Sequence, residues 1–223
     1  MRFVVAGAHG KVAQQLARLL VARGDEVVGL VRSPEHLDDL AALGVRPRLV
    51  DLEAASVPEV AEVLEGADAA VFAAGAGPGS GAARKDTVDR GAAVLLADAC
   101  ERAGVRRYLL VSSVGVESVR DGAEPEGVEE VFLAYLRAKL AAEEDVRARD
   151  LDWTVLRPGA LTDAPATGRV LLEGSVPRGE VPRADVAAVL VALADTPGTA
   201  GQVLELVGGE EPVEDAVRRA AAG

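Results

Sequence analysis

The sequence predicts a doubly wound α/β domain: one parallel sheet with helices on both faces. Three observations predict it. Short Val/Leu-rich runs alternate strictly with longer helical patterns along the chain. The short runs are continuously apolar rather than alternating, as expected when both faces of a strand are covered. A Gly-rich turn joins the first run to the first helix, the arrangement that opens a nucleotide-binding βαβ unit.

The elements follow in order. Arg2–Ala6 is an apolar strand, and residues 11–23 repeat apolar side chains at helical spacing. Glu26–Val31 is the second strand, and Pro34 opens the next helix. A strand at 45–50 precedes a short helix at 58–64. A strand at 69–74 leads into GAGPGSG at 75–81, which reads as a plain linker or a loop flanking a cofactor. A long helix covers 87–103, a strand 107–112 and a helix 128–149. A strand at 153–156, a helix at 184–194 and a last strand at 203–207 complete the series. Residues 122–127 form a second polar loop, and the chain has no internal repeat.

Composition narrows the class. The 223 residues suit one domain, 1–223, with small substrate loops at about 114–127 and 158–182. Apolar residues make up 49% but aromatics only 3%, so the core is built from Val, Leu and Ala. The net charge of −12 argues against a general nucleic-acid binder or an anionic-membrane binder, both of which need a positive field. One cysteine, Cys100, excludes an intramolecular disulfide framework and a Cys-rich zinc site, and no His/Asp/Glu cluster has metal-ligand spacing. Met1-Arg2-Phe3 runs straight into a strand, and the longest apolar run, 186–194, falls far short of the ~20 residues that cross a bilayer. The expectation is a soluble cytoplasmic protein, monomer or homodimer, acting on a small molecule. The chain has no Asn, no Ile and only three Lys (Lys11, Lys85, Lys139), which GC-rich coding explains.

The turn Gly7-Ala8-His9-Gly10-Lys11-Val12-Ala13 reads as a phosphate cradle. Gly7 permits the tight turn, Gly10 lets the backbone approach a pyrophosphate, and Ala13 allows close helix–sheet packing. Exposed N–H groups and the helix dipole attract the phosphates. His9 and Lys11 either touch phosphate or are solvated turn residues. The second strand ends Gly29-Leu30-Val31-Arg32-Ser33, with no carboxylate to hold ribose hydroxyls. Arg32 is placed to pair with a 2′-phosphate and Ser33 to donate to it, which favours NADP (NADPH) over NAD. Asp51-Leu52 lines the adenine pocket or caps a loop, and His36 sits near the 2′-phosphate or on the surface. Ala73, Ala74 and Gly75, where the fourth strand ends, complete the expected cofactor edge.

Tyr135 and Lys139 stand four apart, on one face of a helix. A nearby ammonium stabilises phenolate, so Tyr135 can exchange a proton with a substrate hydroxyl or carbonyl. With two Tyr and three Lys in 223 residues, this spacing is rare by chance. The fifth strand ends in Ser112-Ser113 at the carboxyl edge, where open α/β sheets bind ligands. Ser113 holds the reacting oxygen, or both serines cap the strand end. Cys100 and Trp153 read as core packing, and Asp185 as a first-turn charge complementing a helix dipole.

The Gly-rich turn, Ser112-Ser113-Val114-Gly115, Tyr135-xxx-Lys139 and Leu156-Arg157-Pro158-Gly159 occur in this order over nearly the whole chain. Together they resemble the short-chain dehydrogenase/reductase superfamily, in its atypical branch of NAD(P)H-binding, sugar-epimerase-like proteins. The resemblance implies a Rossmann-type fold, a nicotinamide cofactor, Lys139 as ribose ligand, and Pro158, Gly159, Ala160, Leu161 and Thr162 bordering the nicotinamide. Two departures matter. The superfamily's active-site Asn is absent, and Asp89 stands in its place, an acceptor only when ionised. Only about 65 residues follow Arg157, too few for the large substrate domain of extended members, which disfavours a nucleotide-sugar. The expected activity is hydride transfer to or from a small carbonyl or alcohol. The alternatives are a non-catalytic NADP-binding sensor or scaffold, and a flavin or quinone reductase.

Overall fold

β1 (Arg2–Ala6), β4 (Ala69–Phe72) and β5 (Arg107–Val111) run side by side through the middle of a nine-stranded sheet. The chain is seen in a computed structural model that describes residues 1–77 and 79–223; Pro78, within the loop 75–81, lies outside the described residues. β2 (Glu26–Val31) and β3 (Arg46–Leu49) extend the sheet on one side. β6 (Asp152–Pro158), β10 (Gln202–Gly208), β8 (Arg169–Glu173) and β11 (Glu211–Pro212) extend it on the other. From β3 to β10 every pairing is parallel; β8 and β11 add an antiparallel edge. The result is a Rossmann-type sheet, as the βα alternation predicts.

Side-chain alternation along the central strands sorts the core into two layers. Phe3, Val5, Val71 and Leu109 face one side, with α1 (Lys11–Ala22), α2 (Leu37–Ala42), α7 (Arg183–Ala194) and α8 (Val213–Ala220). Val4, Ala6, Phe72 and Leu110 face the other, with α3 (Val57–Leu64), α5 (Ala92–Ala103) and α6 (Glu130–Arg147). Cys100 and Tyr108 are fully buried in this second layer, and the Tyr108 hydroxyl donates to the Ala93 carbonyl at 2.9 Å. Burial pushes the Cys100 thiol up to about 12, so it behaves as a small apolar side chain. Capping follows local sequence at α3, where Ser56 and Glu59 form a reciprocal box.

Several elements differ from the sequence expectation. β3 reads Arg-Pro-Arg-Leu and is mostly exposed, because it is an edge strand; its charges and proline block further strand addition. The helix expected at 87–103 begins earlier. A short α4 (Ala82–Arg84) runs into a π-helical stretch, Lys85–Gly91, and then into α5. Residues 158–182 contain three strands: β8, and the two-stranded pair of β7 (Ala160–Thr162) with β9 (Glu180–Pro182). β11 and α8 follow the strand expected to be last. Exposed positions interrupt the apolar runs of these strands, so neither a continuous nor a periodic pattern marks them in the sequence. Asp185 does more than complement a dipole: it is fully buried and accepts hydrogen bonds from Thr167 and Gly168, tying the start of α7 to the approach to β8.

Candidate functional site

The carboxyl edge of the sheet carries two cavities on either side of the point where strand order reverses, between β1 and β4. One, of about 300 Å³, lies over β1, β2 and the loop after β3. The other, of about 730 Å³, lies over β5, β6 and α6. Ala73, Ala74 and Gly75 line both, so the two form one groove bent around the end of β4.

The Gly-rich turn forms the rim of the smaller cavity. Gly7 has φ +73°, and a Cβ there would stand 2.5 Å from the Ala74 Cα, so only glycine fits. The Gly10 amide donates to the Gly7 carbonyl at 2.9 Å and starts α1. No side chain caps α1 and no acid lies in its first turn. Its leading amides and positive dipole end therefore face the groove without a competing internal anion. Ala8 turns inward and packs in the core. His9 lines the cavity, stacks on His36 with ring centroids 3.6 Å apart, and contacts Asp39 at 3.0 Å. Lys11 points elsewhere, to Asp163 at 2.6 Å beside a separate small cavity of about 150 Å³.

At the far end of the same cavity, Arg32 is half exposed and lies 3.2 Å from Glu53. Arg84 pairs with the same carboxylate at 3.1 Å, and Thr87 donates to it at 2.6 Å. Two guanidinium groups therefore share one carboxylate here. Arg32 is singled out in the sequence by its place at the strand end, whereas Arg84 and Glu53 come from remote segments with no local signal. Asp51 and Leu52 line the cavity, and the Asp51 carboxylate accepts the Glu53 amide at 3.0 Å. Ser33 sits just before the 3-10 turn Pro34–His36, outside the lining.

The larger cavity gathers the other candidates. Val12, Ser113, Tyr135, Lys139, Pro158, Gly159, Ala160 and Leu161 all line it. Gly159 is required by packing, since a Cβ would strike the Gly179 carbonyl. Ser113 Oγ donates to its neighbour's carbonyl at 3.1 Å. Ser112 lines the cavity too, but its hydroxyl donates to the buried Glu143. Lys139 is almost fully buried, with Nζ 5.8 Å from the Tyr135 ring centroid. It donates to the Val111 carbonyl at 3.0 Å and the Ala74 carbonyl at 3.4 Å, and lies 3.3 Å from Asp89 Oδ1. Asp89 is fully buried; Oδ2 accepts the Ala76 amide at 3.2 Å, while Oδ1 has no aligned donor. The contact with Lys139 is thus an ion pair without good hydrogen-bond geometry.

The π-helical stretch carries Asp89 and also Lys85, a residue the sequence reading left without a role. Such stretches recur at functional sites because the wider turn re-aims side chains. Here both residues line the larger cavity.

Beneath the site, Arg157 is 3% exposed and clamps three elements. It binds Glu143 of α6 at 2.6 Å and Glu117 of the 3-10 segment Val116–Gly122 at 2.6 Å, with Glu205 of β10 at 3.8 Å. Hydrogen bonds from Arg120 and Arg157 hold Glu117 down at about 2. The arginine of Leu156-Arg157-Pro158-Gly159 therefore positions the serine turn, through Ser112 and Glu143, rather than lining the groove.

The groove fits a dinucleotide on these observations. The uncapped α1 amides suit a pyrophosphate, and the orphaned Asp89 Oδ1 beside the Lys139 ammonium suits a ribose diol. A family model described as NAD(P)H-binding matches residues 7–197. The chain belongs to this NAD(P)H-binding family. The match is consistent with the short-chain dehydrogenase/reductase resemblance. Among relatives, this NAD(P)H-binding chain is 30% identical to the uncharacterized sugar epimerase YhfK of Bacillus subtilis, over 98% of this chain and 100% of that one. A solved structure from Bacillus halodurans, provisionally named an NAD-dependent epimerase/dehydratase, superposes with TM-score 0.88 and 32% identity, covering 98% and 99% of the two chains. ChuY of Escherichia coli O157:H7, named an anaerobillin reductase, superposes with TM-score 0.78 and 29% identity, covering 93% and 97%. Among the described residues of this NAD(P)H-binding protein, no helix is long and apolar enough to cross a membrane.

Proposed function

We propose that this NAD(P)H-binding protein is an NADPH-dependent oxidoreductase that acts on a small carbonyl compound or alcohol, with Tyr135 as its acid/base. The observation that carries the reading is that Tyr135, Lys139 and Ser113 line one cavity, continuous with the end of the groove that bears Arg32. The names of the relatives, an epimerase and a reductase, lean the same way.

In this reading the α1 amides hold the pyrophosphate, Arg32 and Arg84 hold a 2′-phosphate, and Asp89 with Lys139 holds the nicotinamide ribose. The bound cofactor supplies or accepts the hydride. The Ser113 hydroxyl turns from the Val114 carbonyl to the substrate oxygen and fixes its position. Tyr135 gives its phenolic proton to that oxygen during reduction, or takes it during oxidation. Lys139 supplies the counter-charge, anchored by two carbonyls and Asp89. Val12 and Val114 give the cavity apolar walls beside the transfer.

NADPH consumption over a carbonyl panel tests this. Tyr135→Phe should lower kcat/KM by about 100-fold or more without changing NADPH affinity; full activity in that variant refutes the role. One observation favours a second reading, flavin or quinone reduction that does not use Tyr135. The Lys139 charge is already compensated by Asp89, which weakens its hold on a phenolate. Reductase activity that survives Tyr135→Phe would select it.

A further inference from the structure

Lys85 has no task in the chemistry above, yet it is nine-tenths buried. Its Nζ donates to the Gly77 carbonyl at 2.9 Å and lies 5.4 Å from the Tyr135 ring centroid, closer than Lys139. Among the described residues it has no carboxylate within ion-pair distance; Asp89 pairs with Lys139 instead. Keeping a buried ammonium charged without a counter-ion is costly, and an amine with one carbonyl partner retains two N–H donors for another acceptor. Lys85 and Lys139 thus line a cavity with one buried carboxylate, Asp89, which pairs with Lys139; Glu129, the other acid lining it, is exposed. Among the buried lining residues, two ammonium groups thus face one carboxylate, in a chain of net charge −12.

The mouth of the same cavity is apolar. Val131, Phe132 and Leu161 line it at 44%, 48% and 38% exposure, three of the six exposed large apolar side chains among the described residues. Phe132 stacks on Tyr135 with centroids 5.6 Å apart and an interplanar angle of 27°, and remains half exposed at the mouth. Clustered exposed apolar side chains around a concavity mark a ligand surface. The cavity, about 730 Å³, has room for a ring-bearing molecule beside a nicotinamide.

We propose that the larger cavity takes an apolar, ring-bearing substrate that carries a carboxylate, with Lys85 as the counter-ion and Phe132 as the platform for the ring. This rests on the oxidoreductase reading and adds the substrate class to it. A carboxylate fits better than a phosphate, because one ammonium offsets one charge and no arginine fork lines the cavity among the described residues. Lys85 thereby orients the substrate, with Tyr135 beside it at the reacting carbonyl.

Calorimetric titration of the full chain with 2-naphthoate and 2-naphthamide, with and without NADP⁺, tests the proposal. The wild type should bind naphthoate at least tenfold more tightly than naphthamide. Lys85→Met should abolish that preference and leave naphthamide and NADPH affinities unchanged, and Lys85→Arg should restore part of it. Phe132→Ala should weaken both probes equally. Equal binding of the two probes, no binding of naphthoate at millimolar concentration, or a preference that persists in Lys85→Met overturns the proposal. Loss of NADPH affinity in Lys85→Met also overturns it, by assigning Lys85 to the cofactor. A wild type that does not bind NADPH refutes the oxidoreductase reading instead, and the naphthoate preference of the cofactor-free protein still decides the role of Lys85.

Discussion

Arg157 and Arg32 are both arginines near strand ends, but their surroundings give them opposite work. Arg157 is buried against Glu143, which is itself fully buried. Removing one partner of such a pair leaves an uncompensated charge in the core. Arg157→Met should therefore cost about 3–5 kcal/mol in urea unfolding, and a loss below about 1 kcal/mol would refute the clamp. Arg32, half exposed, contributes little to stability through its pair with Glu53. Its expected effect is on the ligand: Arg32→Ala should erase a preference for NADPH over NADH in binding titrations, and equal affinities in the wild type would refute the 2′-phosphate role. Tyr135, Lys139 and Arg32 are legible in the sequence because spacing and strand-end position single them out. Lys85, Arg84 and Glu53 are not, because nothing in their local sequence tells that the π-helical stretch, the end of α4 and the post-β3 loop turn them into the groove.

The elements show where periodicity suffices and where it fails. The central parallel strands and the long helices follow the apolar pattern closely; β7, β8, β9 and β11 do not, because exposed or half-exposed positions interrupt their apolar runs. The 3-10 segment Val116–Gly122 is held to β6 by Glu117, whose carboxyl lies below its ordinary 4.5, at about 2, through Arg120 and Arg157. The unfolded chain binds this proton more readily than the folded one. The contribution is complete above pH 4.5 and is lost as pH falls toward about 2. It is modest, since about half of the side chain faces water. Unfolding midpoints should thus fall between pH 4.5 and 2 more steeply in the wild type than in Glu117→Gln; identical slopes would remove Glu117 from the acid response.

At the scale of the whole molecule, the sheet separates two cores and its carboxyl edge holds the groove. β3 closes one edge with arginines and proline, and the C-terminal elements close the other. α8 buries Val213, Ala216 and Val217 against the layer that holds α1 and α7. Deleting residues 209–223 should cost about 3–6 kcal/mol, the burial of two valines and an alanine, read as a lower thermal midpoint. An unchanged midpoint would show that α8 is dispensable. NADPH affinity should survive the deletion below the new midpoint, since none of these residues lines the groove.

The sequence by itself determined the class of fold, and it singled out the candidate site at the first turn and the strand ends and the Tyr135–Lys139 spacing. These depend on short-range regularities: strand and helix periods, glycine at a turn, and spacing along one helix face. Only the tertiary structure decided which charges meet. It paired Lys139 with Asp89, sent Lys11 to Asp163, buried Arg157 beneath the serine turn and left Lys85 facing the larger cavity. The physical reason is that the interaction of two charges depends on distance and burial, and packing, not sequence separation, sets both.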